Sequence, residues 1–432
     1  MRVLWVCNIM LPLIAEKLHM ETNVKEGWIT GIVTRLIKEG KNSGITLGIA
    51  FPADENLAHF HDLYRFKDTP IECFGFQEDL TIPEQYQPEM ERRMEEIINQ
   101  FQPDVVHVFG TEYPHALAMA RVFKKPQRLL VGIQGVISLC AKEYLADLPR
   151  EVYESRTFRD VIRKDSILQQ QEKFKKRGEM EIKTVRIAGN ITGRTEFDKE
   201  FVKQTNEDAR YYSMNETMRP CFYEGSWSLE NCRKHQIFFS QADYPLKGFH
   251  YLLQAMPRIL QEFPDAQIKV AGNSILRRGG LKNKIKVSAY AKYLEKLMEE
   301  NHLQDKVTFL GKLSAEEMKQ QYLESHVFVC ASSLENSPNS VGEAMLLGTP
   351  VVAARVGGIP SMITDRKEGL LYTGGNVEEM AENIIQLWKD ESMLPVAGRL
   401  SKAAAARAKV THDGEQNFKR LKEIYQDICN RE

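Results

Sequence analysis

Residues 327–360 decide the fold. They read Val327-Phe328-Val329-Cys330-Ala331, then Ser332-Ser333-Leu334-Glu335-Asn336-Ser337-Pro338-Asn339-Ser340-Val341-Gly342-Glu343-Ala344-Met345-Leu346-Leu347. Gly348-Thr349-Pro350, Val351-Val352-Ala353-Ala354 and Arg355-Val356-Gly357-Gly358-Ile359-Pro360 follow. The opening apolar run suits a strand covered on both faces. Pro338 and Asn339 suit a helix start, Gly348 ends that helix, and Pro350 bars its continuation. Strand, loop, helix, turn, strand is the building block of a doubly wound parallel sheet. Glu335 then lies on the loop beyond the strand, and Glu343 about one turn inside the helix. Free N–H groups at such a helix start suit a diphosphate. Carboxylates beside it can accept hydrogen bonds from sugar hydroxyls. Two glutamates eight apart also arise by chance, so the surrounding motifs must carry the reading.

The same alternation extends both ways. Contiguous apolar runs at 3–7, 46–51, 105–109 and 129–133 predict strands, with helical patterns at 89–101 and 115–123. After a polar linker at 219–234, around Trp227, strands are expected at 237–240, 267–271, 307–310, 327–331 and 351–354. Helices are expected at 250–263, 289–301, 315–324, 340–347 and 377–389. The fold class is therefore α/β: two doubly wound parallel-sheet, Rossmann-like domains facing a cleft. Residues 1–218 form the first and 219–414 the second, with a helix at 415–432 packing back on the first. A charged helical insert at 138–181 interrupts the first domain. Arg156 to Arg177 holds eight cations and three acids, net +5. Phe158, Val161, Ile162 and Leu168 recur there at helical spacing, which predicts one buried face. The basic side suits an anionic membrane or a lipid diphosphate, or is simply a solvated helix face.

Composition excludes other classes. The 432 residues carry 58 Lys+Arg against 59 Asp+Glu, a formal charge of −1, so nothing pulls the whole chain toward nucleic acid. No apolar run is long enough to span a bilayer, and the apolar start at 3–7 lacks a cleavage site. The seven cysteines are scattered without a CxxC pair, which argues for reduced thiols and against structural zinc. The expected location is cytoplasmic, with a peripheral contact on the inner membrane face.

Glu335 and Glu343, Gly348-Thr349-Pro350-Val351-Val352 and Gly357-Gly358-Ile359-Pro360 occur in order at fixed offsets. As a set they resemble the retaining glycosyltransferases of family four, which have the GT-B fold. The resemblance covers roughly 237–373 and thins over the first domain. It implies that Glu335 holds donor-sugar hydroxyls and Glu343 the nucleotide ribose. Asn339, Ser340 and Val341 would turn backbone amides to the diphosphate. Lys247, in Pro245-Leu246-Lys247-Gly248-Phe249, would bind the diphosphate as a point charge. Gly272 and Gly311 would let the nucleotide approach the backbone, and Gly27, in Lys25-Glu26-Gly27, would admit phosphate or acceptor. Departures are clear. Ser240-Gln241-Ala242 stands where the family usually has an arginine, with Arg278 or Lys282 as candidate substitutes. Gln134 stands where a histidine is common, able to donate a hydrogen bond to a sugar but not to carry charge. On the acceptor side, His115, Glu112 and Arg194 are candidates, Arg194 meeting a phosphate or a buried salt bridge to Asp198. His107, inside an apolar run, reads as structural.

The implied function is transfer of a sugar from a nucleotide-sugar to a saccharide or lipid-linked acceptor, with retention, in surface polysaccharide synthesis. No cofactor is expected, and no DxD-like acidic pair suggests a metal. The alternative is a non-catalytic component that binds nucleotide-sugar within a polysaccharide assembly. A nicotinamide enzyme would need G-x-G-x-x-G after a strand, which is missing. A phosphorylase-like enzyme would need a pyridoxal lysine in a longer chain.

Overall fold

The computed structural model describes residues 1–20, 27–272, 287–389 and 396–431. Lys25, Glu26, Arg278 and Lys282 lie outside the described residues. The chain divides into two compact units: Met1–Ser138, Phe174–Arg219 and His412–Glu432, and then Leu139–Lys173 with Pro220–Thr411. Residues 139–173 thus group with the second unit rather than forming an insert in the first.

The first unit is built on strands β1 (Arg2–Val6), β2 (Thr46–Ala53), β3 (His61–Phe66), β4 (Thr69–Gln77), β5 (Val105–Phe109), β6 (Leu129–Gly132), β7 (Asn190–Gly193) and β8 (Arg210–Ser213). Their order is β3-β4-β2-β1-β5-β6-β7-β8. All neighbours run parallel except β3, which pairs antiparallel with β4 at the edge. The β3–β4 hairpin is absent from the sequence reading, because four of the six β3 residues face solvent and they show no contiguous apolar run. Central strands such as β5 are buried throughout, which is why they are legible as apolar runs. Helix Gly414–Cys429 belongs to this unit, and the Trp5 indole donates to the Tyr425 hydroxyl at 2.9 Å.

The second unit holds β9 (Arg233–Phe239), β10 (Gln267–Ala271), β11 (Val307–Gly311), β12 (Ser325–Cys330), β13 (Val351–Ala354) and β14 (Leu370–Tyr372). Their order is β11-β10-β9-β12-β13-β14, all parallel. The expected linker is pinned to this unit: Trp227 is buried and its indole donates to the Ser325 carbonyl at 2.8 Å. From β9 the chain builds outward through β10 and β11, then restarts beside β9 with β12. Strand order reverses between β9 and β12, and the loops leaving those two strands flank that point. Open parallel sheets bind ligands at such reversals. Among the described residues, no helix is long and apolar enough to cross a membrane.

Four of the buried histidines are held neutral. Burial lowers His107 and His326 to about 3, and His250 and His412 to about 4. Two of them donate a ring N–H to a backbone carbonyl, His250 to Ala146 and His412 to Glu216, each at 2.8 Å. A histidine depressed in the folded state contributes stability above pH 6.5 that is lost as pH falls toward its folded value. Each should cost about 1.4 kcal/mol per pH unit in that window. Glu181 works in the opposite sense between about pH 4.5 and 7, because burial raises its carboxyl to about 7. Urea midpoints should therefore fall steeply from pH 7 to pH 5. A flat profile would mean that the imidazoles are not buried as described.

Candidate active site

In the second unit the two loops flanking the strand reversal meet through side chains. Lys247 follows β9 and Glu335 follows β12. The Lys247 ammonium lies 2.5 Å from Glu335 Oε1, and the Ser332 hydroxyl donates to the same oxygen at 2.8 Å. Burial works against the lysine's charge, but the Glu335 carboxylate, with the Tyr244 phenol, outweighs it and holds the ammonium above its usual range. The pair is mutually neutralising. Without Lys247, the carboxylate would repel any anion bound beside it.

Glycines place both residues. Gly248 has φ +72°, and a Cβ there would lie 1.9 Å from the Ala331 carbonyl oxygen, so Lys247 is carried hard against the end of β12. Ser333 N–H donates to the Leu246 carbonyl at 2.9 Å and ties the same two loops. Gly357 has φ +50°, and a Cβ there would lie 2.0 Å from the Glu335 carbonyl oxygen. That carbonyl accepts from Gly358 N–H at 2.9 Å. The Gly-Gly element is therefore a clamp on the Glu335 backbone.

Helix Asn339–Leu347 starts after Pro338, whose side chain caps nothing. The N–H groups of Val341 and Gly342 turn back to the Pro338 carbonyl, at 3.0 and 3.3 Å. This leaves Asn339 and Ser340 at the helix start. Glu343 is buried within the helix. Gly272 and Gly311 both have positive φ, +102° and +79°, at the ends of β10 and β11. Gly272 N–H donates to the Gly311 carbonyl at 3.0 Å. Where the family has an arginine, Gln241 instead donates to Asp243 at 3.3 Å.

The first unit holds the remaining candidates. Gly27 opens helix Gly27–Glu39. Gln134 follows β6 and accepts from the Asn8 amide at 3.2 Å. Arg194 is a positioning residue for that loop, its guanidinium donating to the Ile133 and Gln134 carbonyls at 3.1 and 3.2 Å. Its ion-pair partner is Glu216, not Asp198. Asp198 instead forms the capping box of helix Glu196–Thr205 and accepts from the Arg194 backbone at 2.9 Å. Glu181 fixes the far end of the loop, accepting from Ile137 N–H at 3.1 Å and Ser138 N–H at 2.8 Å. His107, Gly132, Gln134, Thr192, Arg194 and Glu216 line a small recess. His107 is structural, its ring 2.7 Å from the Tyr425 hydroxyl.

Two acceptor-side candidates are engaged elsewhere. His115 is fully buried, 2.7 Å from Glu78 and stacked on Tyr113. Glu112 is ion-paired with Arg177. Glu181 and Glu216 escaped the sequence reading, since no local pattern distinguishes a buried positioning acid from a solvated one. Among the described residues, no three His, Cys, Asp or Glu side chains gather as a metal site.

Residues 228–409 match the sequence model described as "Glycosyl transferases group 1". The D-inositol 3-phosphate glycosyltransferase of Corynebacterium urealyticum is 31% identical over 183 residues, 42% of this chain and 41% of that protein. A GDP-mannose-dependent phosphatidylinositol monomannoside mannosyltransferase of Corynebacterium glutamicum is 28% identical, over 38% of this chain and 40% of its own. The chain thus matches about two-fifths of the length of these curated relatives. Whole-chain likeness comes from solved structures. Sucrose-phosphate synthase of Thermosynechococcus elongatus superposes with TM-score 0.69 at 15% identity, covering 99% of both chains. Anabaena HepE with UDP-glucose gives 0.63 at 16%, covering 99% of this chain and 100% of its own. At such identity the likeness shows the fold, which is GT-B. Residues 228–409, about two-fifths of the chain, thus resemble the glycosyl transferases group 1 family, and the chain has the GT-B fold.

Proposed function

We propose that the protein is a retaining glycosyltransferase that moves a sugar from a nucleotide-sugar to a saccharide or lipid-linked acceptor, without a metal, in building a surface polysaccharide. The observation that carries this reading is the Lys247–Glu335 pair at the strand reversal beside a helix start, inside the family-matched residues. Lys247 and the backbone amides of Asn339 and Ser340 take up the charge of the departing diphosphate, while the Val341 amide stays on the Pro338 carbonyl. Glu335 holds the sugar hydroxyls and Glu343 the ribose. Gly272 and Gly311 leave room for the nucleotide. The acceptor binds the first unit, where Gln134 donates to a hydroxyl. The acceptor oxygen bonds to the anomeric carbon on the face that the phosphate leaves, and a phosphate oxygen takes its proton.

UDP, GDP, ADP and CMP should be tested by thermal stability, with UDP and GDP first in view of the HepE and C. glutamicum proteins. A nucleotide at 100 times its Kd should add about 2.7 kcal/mol. Glu343→Ala should lose that gain, and EDTA should leave transfer unchanged. If no nucleotide stabilises the protein, the site assignment fails. A second reading, a non-catalytic nucleotide-sugar-binding component, has support from Gln241 and Gln134, which stand where the family places arginine and histidine. Nucleotide binding without donor turnover would favour it.

A further inference from the structure

Helix Phe158–Arg163 stands inside out. Its polar side faces the protein. Asp160 is 1% exposed, accepts from Thr157 N–H at 3.0 Å and pairs with Arg159 at 3.0 Å. It also accepts from Ala289 N–H at 2.9 Å, at the start of helix Ala289–Glu300, which holds the short helix to the second unit. The opposite side carries Phe158, Val161 and Ile162, at spacing i, i+3, i+4, and they are 65%, 60% and 64% exposed. The buried apolar face expected from their periodicity is thus turned outward, because Asp160 anchors the other side. The other exposed large apolar residues of the described chain are scattered along the sequence.

Arg156, Arg163 and Lys164 flank this triad and are exposed. Among the described residues, none of the three has an acid within ion-pair distance. The nearby Glu154 is already paired with Arg150 at 2.8 Å. We propose that this face docks on an anionic lipid bilayer. The apolar triad enters the headgroup boundary, and the three cations meet lipid phosphates. A second copy of the chain fits poorly, since a two-fold contact would set the same cations against each other. The inference does not depend on the sugar-transfer reading.

The test is sedimentation of the full chain with vesicles of phosphatidylcholine alone or mixed with phosphatidylglycerol. Partition should be at least about tenfold stronger on the anionic vesicles and should weaken with salt. Phe158→Ser/Val161→Ser/Ile162→Ser should lose it while keeping the urea midpoint, as these side chains support no core. Arg156→Glu/Arg163→Glu/Lys164→Glu should abolish the anionic preference. Equal partition by natural and triple-serine chains, or none by either, overturns the proposal. So does a natural chain that dimerises while the triple-serine variant is monomeric, which would make the face a self-interface.

Discussion

Lys247→Ala should lower sugar transfer by about 10²–10³-fold. Two losses combine. The departing diphosphate loses a cation, and Glu335, left without its partner at 2.5 Å, becomes an uncompensated part-buried carboxylate beside an anion site. Breaking such a pair should also cost about 3 kcal/mol of stability. The companion variant separates the roles. Glu335→Gln frees Lys247, so nucleoside diphosphate should bind as well as before or more tightly, while transfer falls because the sugar is no longer held. The double variant Lys247→Ala/Glu335→Gln should recover the lost stability but not the activity. Nucleotide affinity by calorimetry and initial transfer rates read both arms. If Glu335→Gln weakens nucleotide binding as much as Lys247→Ala does, the division of labour between them is wrong.

The second large effect falls on glycines. Gly248→Ala and Gly357→Ala should each destabilise the second unit by about 3 kcal/mol or more. Each places a non-glycine residue at positive φ, which costs roughly 1–2 kcal/mol. Each also drives a methyl group to about 2 Å from a carbonyl oxygen, of Ala331 or Glu335, and forces the backbone apart. Gly311→Ala is the internal control. Its φ is +79°, but a Cβ there has nothing within 4 Å, so only the strain should appear. Urea midpoints should rank Gly311→Ala well above the other two. Folded Gly357→Ala should also transfer poorly, because its clash displaces Glu335 itself. Equal destabilisation at all three positions would mean that conformation rather than close approach sets the cost.

The strand, loop and helix that carry Glu335 and Glu343 were legible because their signals are local. A contiguous apolar run, a helix start at Pro338 and Asn339, and a stop at Gly348 need only neighbours in the chain. The contact of Lys247 with Glu335 was not legible, since the pair spans 88 residues and no propensity connects them; the resemblance implied only that both face the donor. What Gly357 does was not legible at all: a Gly-Gly pair reads as a turn until the Glu335 carbonyl is seen against it.

By itself the sequence determined the alternation of strands and helices, the two parallel sheets, and the motif residues near Glu335. Periodicity records that a helix has an apolar face, not what that face meets. Tertiary structure decided that the Phe158 face looks outward, that residues 139–173 join the second unit, and that His115 is buried against Glu78. It also gave Arg194 to Glu216 rather than Asp198, and drew Trp5, Tyr425 and His107 into one network. These outcomes turn on contacts between groups tens to hundreds of residues apart. Burial and charge pairing are settled there, once the competing partners are all in place.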